Sequence, residues 1–178
     1  KEGYSGKLCV TGIDRDLQQR LTELVQLHYN QLNQNEIHNA ALLVLDVSNK
    51  QVLAYVGNTS EDGQGNGNYV DIIDAPRSSG SILKPILYTC MLDEGEILPN
   101  SLVPDIPTQI SGYTPVNFDR SYKGAVRAGT ALIRSLNVPA VRMLREYGLE
   151  KFYSKLRALD FSTINKGPGH YGLTIILG

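Results

Sequence analysis

Cysteine, histidine and net charge are all scarce in this chain. Of 178 residues only two are cysteine, Cys9 and Cys90. They form no Cys-x-x-Cys pair, so zinc binding and a thioredoxin-like site have no local signature. Three histidines occur, His28, His38 and His170. With no His-x-x-x-His spacing and no Gly-x-Ser-x-Gly elbow, a zinc protease or a histidine-based serine triad lacks support, and no cofactor or metal is expected. Lys+Arg number 17 and Asp+Glu 18, a net charge of −1, which marks neither a nucleic-acid-binding nor a polybasic membrane-contacting protein. No run of about twenty apolar residues and no signal-peptide pattern occurs. A membrane anchor, if the parent protein has one, is expected outside this segment.

What is present reads as one α+β domain, with helices packed on one antiparallel sheet. Asp14 is placed to cap a helix whose stripe is Leu17, Leu21, Leu24, Val25, His28 and Leu32. His28 is expected to be packed or partly exposed rather than a ligand. Two strands follow, residues 40–47 and 51–57, joined by the short turn Ser48-Asn49-Lys50. The glycine-alternating run 58–68 lacks the Gly-Lys-Ser/Thr ending of a phosphate loop, so a flexible loop is expected. The Pro- and Gly-rich stretch 99–122 reads as loop, and residues 128–159 as helices.

The strongest chemical signal is Arg77-Ser78-Ser79-Gly80-Ser81-Ile82-Leu83-Lys84-Pro85. Ser81 and Lys84 stand three residues apart where a small-residue loop enters an apolar helix. At that spacing both lie on one face, so the Lys84 amine can reach the Ser81 hydroxyl and take its proton. A helix start also stabilises negative charge on a serine oxygen and disfavours a charged lysine beside it. About one Ser-x-x-Lys is expected by chance in a chain this long, so the context decides. The residues that follow, from Ile82 to Leu92, are apolar nearly all round and predict a buried helix on which Cys90 is a small core residue. Pro85 removes the N–H that would pair with the Ser81 carbonyl, which puts an irregularity on the candidate nucleophile.

A second constellation, Ser135-Leu136-Asn137, sits at a turn between two helical stretches, the later one carrying Pro139 near its start and Gly148 at its end. A second hydroxyl there is suited to relay a proton between Lys84 and a leaving amine. The Asn137 amide is suited to hold a substrate carbonyl or the lysine.

Taken with Pro115-Val116-Asn117-Phe118-Asp119-Arg120-Ser121-Tyr122-Lys123-Gly124 and the opening Thr11-Gly12-Ile13-Asp14-Arg15-Asp16-Leu17-Gln18, these motifs resemble the transpeptidase domain of class A bifunctional penicillin-binding proteins over nearly the whole chain. The resemblance implies the penicillin-binding transpeptidase and serine β-lactamase fold, with residues 1–13 a linker from a glycosyltransferase domain and 14–178 the N-terminal part of the transpeptidase. It implies a serine acyl-enzyme that crosslinks peptidoglycan stem peptides at D-Ala-D-Ala and is trapped by β-lactams. Ser81 is then the nucleophile, Lys84 the general base, Ser135 the proton relay and Asn137 a substrate contact. The implied partners are stem peptides, lipid II-derived glycan and β-lactams, not nucleic acid. The implied location is the periplasmic or extracytoplasmic face, with the parent anchored in the inner membrane.

The family's third motif, Lys-Thr-Gly or Lys-Ser-Gly, occurs nowhere in the chain. The closing apolar run from Gly169 to Gly178 has no polar tail, which leads to the expectation of one piece of a longer polypeptide. On that expectation the missing strands come from further chain or from a second polypeptide, and the fragment alone is impaired. Two other readings stay open: a serine β-lactamase, for which Glu146 and Glu150 are the only acids soon after the second motif, and a non-catalytic sensor or scaffold that binds stem peptides or β-lactams.

Overall fold

The structure, a computed structural model, describes residues 10–60 and 65–178. Residues 1–9 of the expected linker, Cys9 among them, and residues 61–64 of the expected flexible loop lie outside the described residues. The chain divides into two compact units, Lys1–Pro76 and Arg77–Gly178.

In the first unit a helix, α1 (Arg15–Leu32), lies on an antiparallel hairpin of β1 (Leu42–Leu45) and β2 (Val52–Val56). Asp14 caps α1, its carboxylate accepting from the Leu17 N–H at 2.7 Å. The buried stripe differs from the expected one. Val25 and Tyr29 are buried, whereas Leu24 is 40% exposed and His28 is exposed. Gln18 explains the rotation: its amide donates to the Tyr55 carbonyl at 3.1 Å and accepts from the Tyr55 N–H at 2.7 Å. A polar side chain thus imitates the peptide group of a neighbouring strand and sets which helix face meets β2. The connecting turn is where the sequence places it, with Lys50 at φ 60 and Asp46 accepting from both the N–H and the hydroxyl of Ser48. The described flanks of the glycine-alternating run are pinned. Asn58 donates to Asn39 Oδ1 at 2.8 Å and Asn68 to the His38 carbonyl at 2.7 Å.

The second unit starts with a 3-10 turn, Gly80–Ile82, that leads into α2 (Leu83–Asp93). The α-helix therefore begins two residues later than a start at Ser81 implies, and Pro85 falls in its first turn. No intrahelical partner is needed for an N–H there, so the proline fits without a break. Next come β3 (Leu102–Asp105), β4 (Gly124–Arg127), α3 (Ala128–Ile133), α4 (Asn137–Tyr147), α5 (Leu149–Ala158), α6 (Pro168–Tyr171) and a closing 3-10 turn, Gly172–Ile176.

The stretch expected to be loop thus contains β3, paired antiparallel with β4 so that Asp105 faces Gly124. Pro104 hid this strand. In a two-stranded ribbon both strands are edges, where a proline is tolerated because its missing N–H need not enter the ladder. Among the described residues the strands form two separate two-stranded antiparallel sheets rather than the one sheet expected. The mixed helix and antiparallel sheet class holds.

Packing in this unit centres on α2, α4 and α5, with Leu87, Val141, Leu144, Phe152 and Leu156 fully buried. The final apolar run joins the same core through Ile175 and Ile176. Cys90 is half-buried against it. At the outer end of α2, Glu94 pairs with Lys151 and Lys155 of α5 and accepts from the Tyr147 hydroxyl. These bonds, with Lys151 first, bring its carboxyl down to about 2.

Phe152 is fully buried and meets Tyr147 edge-on, with ring centroids 6.5 Å apart. Phe152→Ala is expected to cost about 3 to 5 kcal/mol, the range for deleting a buried aromatic ring. Urea unfolding followed by circular dichroism measures this; a loss under about 1 kcal/mol contradicts the packing described.

Candidate active site

Ser81 sits in the 3-10 turn directly after Gly80, which has φ 53. That left-handed conformation suits glycine, and it turns the chain sharply just before the serine. One turn further on, Lys84 enters α2 and is 3% exposed. A lysine amine buried to this extent needs partners for all its protons, and it has three. Lys84 Nζ donates to the Ser135 carbonyl at 2.8 Å, to Ser135 Oγ at 3.2 Å and to Asn137 Oδ1 at 2.7 Å. Burial alone lowers its pKa, from 10.5 to about 8.

No hydrogen bond joins Lys84 to Ser81; the amine is turned to the Ser135–Asn137 turn. Ser81 instead lines the same cleft, of about 470 Å³, together with Gly80, Ser135 and Asn137, and with Phe118, Arg134 and Leu177 on the walls. All four candidate residues are thus brought to one place, with the buried amine beneath two exposed hydroxyls.

The turn that presents Ser135 is built from backbone bonds. The Ser135 N–H donates to the Leu132 carbonyl and the Leu136 N–H to the Ala131 carbonyl, both at 2.9 Å, while Ser135 itself has φ 51. This is a Schellman ending for α3, and the left-handed position usually goes to glycine. Serine there costs about 1 to 2 kcal/mol of backbone strain relative to the right-handed region. The side chain and carbonyl that result both face Lys84. Lys50 takes the same region in an ordinary turn, so it is the contacts to Lys84 rather than the strain that single out Ser135.

Asn137 begins α4, and its amide is oriented by a bond from Nδ2 to the Val116 carbonyl at 2.9 Å, which leaves Oδ1 for the lysine. Sequence reasoning missed the next layer. Asn117 is 2% exposed and its Oδ1 accepts from the N–H groups of both Asn137 and Val138, at 2.9 and 3.2 Å. Its Nδ2 donates to Asp105 Oδ1 at 2.7 Å and to the Ser121 carbonyl at 2.8 Å. One signal was available: α4 starts after Leu136, which has no capping side chain, so its free N–H groups call for a remote acceptor.

The chemical capacity of the arrangement follows from donor counting. A neutral lysine amine has two N–H bonds and one lone pair. The Ser135 carbonyl and Asn137 Oδ1 accept only, so they hold the two N–H bonds and leave the lone pair for a hydroxyl. When the amine is charged it donates in that third direction as well.

Comparison with known proteins adds an independent finding. The family model "Penicillin binding protein transpeptidase domain" matches residues 40–171. Penicillin-binding protein 1C of Escherichia coli is 37% identical over 98% of this chain, and penicillin-binding protein 1A of Streptococcus oralis 32% identical over 90%. The chain spans 22% and 26% of the length of these two relatives. Among solved structures, PonA1 from Mycobacterium tuberculosis in complex with penicillin V superposes with a TM-score of 0.72 at 21% identity, covering 96% of this chain and 46% of that one.

Because the folded Lys84 pKa lies below the unfolded value, between pH 8 and 10.5 the unfolded chain carries a proton that the folded chain has lost. Stability at this position therefore rises with pH across that window, and below pH 8 the full cost of burying the charge is present. Relative to Lys84→Met, the wild-type chain is expected to gain roughly 2 kcal/mol from pH 8 to 10.5, allowing for screening by water in the cleft. Denaturant unfolding of both proteins at the two ends of the window tests this; a difference independent of pH rules out the lowered pKa.

Proposed function

This chain belongs to the penicillin-binding protein transpeptidase family, and from that premise we propose that it is the nucleophile-bearing part of a peptidoglycan D,D-transpeptidase. The observation that most supports this reading is the buried Lys84 amine, bonded to Ser135 and Asn137 at the cleft that Ser81 lines.

In the proposed reaction Ser81 Oγ attacks the carbonyl carbon of a D-Ala-D-Ala peptide bond while its proton passes to neutral Lys84, directly or through one water. The Ser81 N–H is one donor to the oxyanion that forms. The C–N bond breaks, and the proton held at Lys84 moves through Ser135 to the departing D-alanine amine. The acyl-enzyme is then attacked by an amine of a neighbouring stem, whose proton returns along the same path to Ser81 Oγ as the crosslink forms. Asn137 holds both the lysine and the peptide. A β-lactam enters by the first step, its ring amide opening onto Ser81.

The parent protein is proposed to be a bifunctional enzyme with a glycosyltransferase domain, anchored in the cytoplasmic membrane with its catalytic domains outside. Among the described residues no helix is long and apolar enough to cross a membrane. Stem peptides, lipid II-derived glycan and β-lactams are its proposed ligands. The 178-residue segment carries no Lys-Thr-Gly or Lys-Ser-Gly, so alone it is proposed to acylate slowly, lacking one oxyanion donor worth about a hundredfold to a thousandfold in rate. Fast stoichiometric labelling by the isolated segment sinks that part of the reading.

Fluorescent penicillin labelling of the full-length protein tests the assignment. Ser81→Ala is expected to abolish the covalent label and Lys84→Met to reduce it nearly as far, with the fold kept. Stable labelling marks the acyl-enzyme of a transpeptidase or a sensor, and transient labelling a β-lactamase. A label retained in Ser81→Ala removes Ser81 as nucleophile.

A second test is the pH dependence. Neutral Lys84 is the active form, so the acylation rate is expected to climb about tenfold from pH 7 to pH 9 around a midpoint near 8. Stopped-flow acylation by a chromogenic cephalosporin reads this; a rate flat across that range excludes Lys84 as the base.

A further inference from the structure

The first N–H groups of α4 are satisfied without any local cap. The Leu136 N–H returns to Ala131, Pro139 has none, and the Asn137 and Val138 N–H groups both donate to Asn117 Oδ1. The acceptor comes from twenty residues upstream because the local positions are committed elsewhere. Ser135 must take its left-handed conformation and Leu136 is buried.

Asn117 can serve this role only in one orientation of its amide, and something must choose it. Two acceptors choose it, the Ser121 carbonyl at 2.8 Å and Asp105, which is 0% exposed on β3. An ionised carboxylate accepts and never donates. Asp105 Oδ1 therefore demands the Nδ2 edge of Asn117, while Oδ2 accepts from the Lys123 N–H at 2.9 Å. No salt bridge reaches this carboxylate among the described residues. A contact meant only to join the β3–β4 hairpin to α4 would be made more favourably by apolar side chains than by a buried charge without a cation.

We infer that Asp105, acting through Asn117, is a positioning residue that fixes the start of α4 so that Asn137 Oδ1 and the Ser135 carbonyl stay aimed at Lys84. The chain of direction runs from an acceptor-only carboxylate, through an amide that cannot flip, to the two N–H groups that hold Asn137 in place. The inference rests on the acyl-transfer reading of the Ser81 cleft for its catalytic meaning, but not for its geometry.

Three variants of the full-length protein test it: Asp105→Asn, Asn117→Asp, and the two together. Asp105→Asn turns one of its two acceptors into a donor that opposes either Asn117 Nδ2 or the Lys123 N–H, and Asn117→Asp sets two carboxylates against each other. The exchange restores a donor facing an acceptor. The carboxylate now at position 117 accepts from α4, and the amide now at position 105 serves both that carboxylate and the Lys123 N–H, while the Ser121 carbonyl loses the donor that Asn117 gave it. Each single variant is expected to slow β-lactam acylation by about tenfold to a hundredfold, the scale of a misplaced catalytic group. The exchange is expected to recover part of that loss relative to Asn117→Asp alone, a coupling that independent sites do not show.

The midpoint of Lys84 titration, followed by NMR of its labelled side chain, supplies a readout free of turnover. No charged side chain contributes to its lowered pKa; burial does, and its hydrogen-bond partners Ser135 and Asn137 are neutral. Loss of positioning lets water reach the amine and moves the midpoint up toward 10.5. Loss of a negative charge at position 105 acting only through its field moves it down or leaves it unmoved. A rise in Asp105→Asn that is reversed in the exchange supports the inference. A midpoint that is unmoved or lowered, or a folded exchange variant that recovers neither rate nor midpoint, overturns it. Should a single variant lose its thermal transition, the exchange decides alone by the same two readings. Failure of Ser81→Ala to abolish labelling bears on the acyl-transfer reading, whereas the Lys84 midpoint bears on the positioning.

Discussion

A primary amine held out of water is the constraint around which the second unit is organised. Lys84 sits on the buried face of α2 with Leu83, Leu87, Tyr88 and Met91, and its charge or lone pair is tolerable there only if every direction around the nitrogen meets a partner. Those partners come from a single tripeptide, Ser135 to Asn137. The end of α3 and the start of α4 are therefore tied to α2 by polar contacts as well as by the apolar core. Moving either helix by an ångström would leave a buried donor unpaired, a loss of about 1 to 3 kcal/mol.

The same constraint accounts for two local features that look unfavourable alone. Ser135 takes a backbone conformation that glycine would occupy at less cost, because a glycine would close α3 equally well but would present no hydroxyl. Leu136 opens α4 without capping it, because the space beside it is core. Each departure from the easiest local choice is offset by a contact made further away, to Lys84 in one case and to Asn117 in the other.

This division explains what was legible in the sequence. Ser81 with Lys84, and Ser135 with Asn137, stand out because three-residue and two-residue spacings at a helix start and a helix-to-helix turn have direct geometric meaning. Asp14 as a cap and Ser48-Asn49-Lys50 as a turn were legible for the same reason. The rotated stripe of α1 was not, since it depends on Gln18 reaching a strand 37 residues away. Nor were β3 and the roles of Asp105 and Asn117. A four-residue edge strand containing Pro104 carries almost no alternation, and a side chain that caps a helix twenty residues on leaves no periodic trace. Lys84 bonds directly to Ser135 and Asn137 rather than to Ser81, because spacing fixes which face a side chain shares, while the choice among several acceptors on that face depends on which are fixed in place.

The remote cap has a consequence for the order in which the chain acquires its structure. The first turn of α4 has no local stop signal to nucleate against, and its exposed N–H groups find their acceptor only after the intervening segment has closed on itself. That closure fixes about twenty residues before it gains its bonds, an entropic cost that grows slowly with loop length but must be met first. The Lys84 pocket is therefore complete only when ribbon, loop and helix have met. A nascent or partly unfolded chain that already contains Ser81 and Lys84 does not yet hold the amine in its buried setting, so the reactive arrangement and the finished fold arrive together.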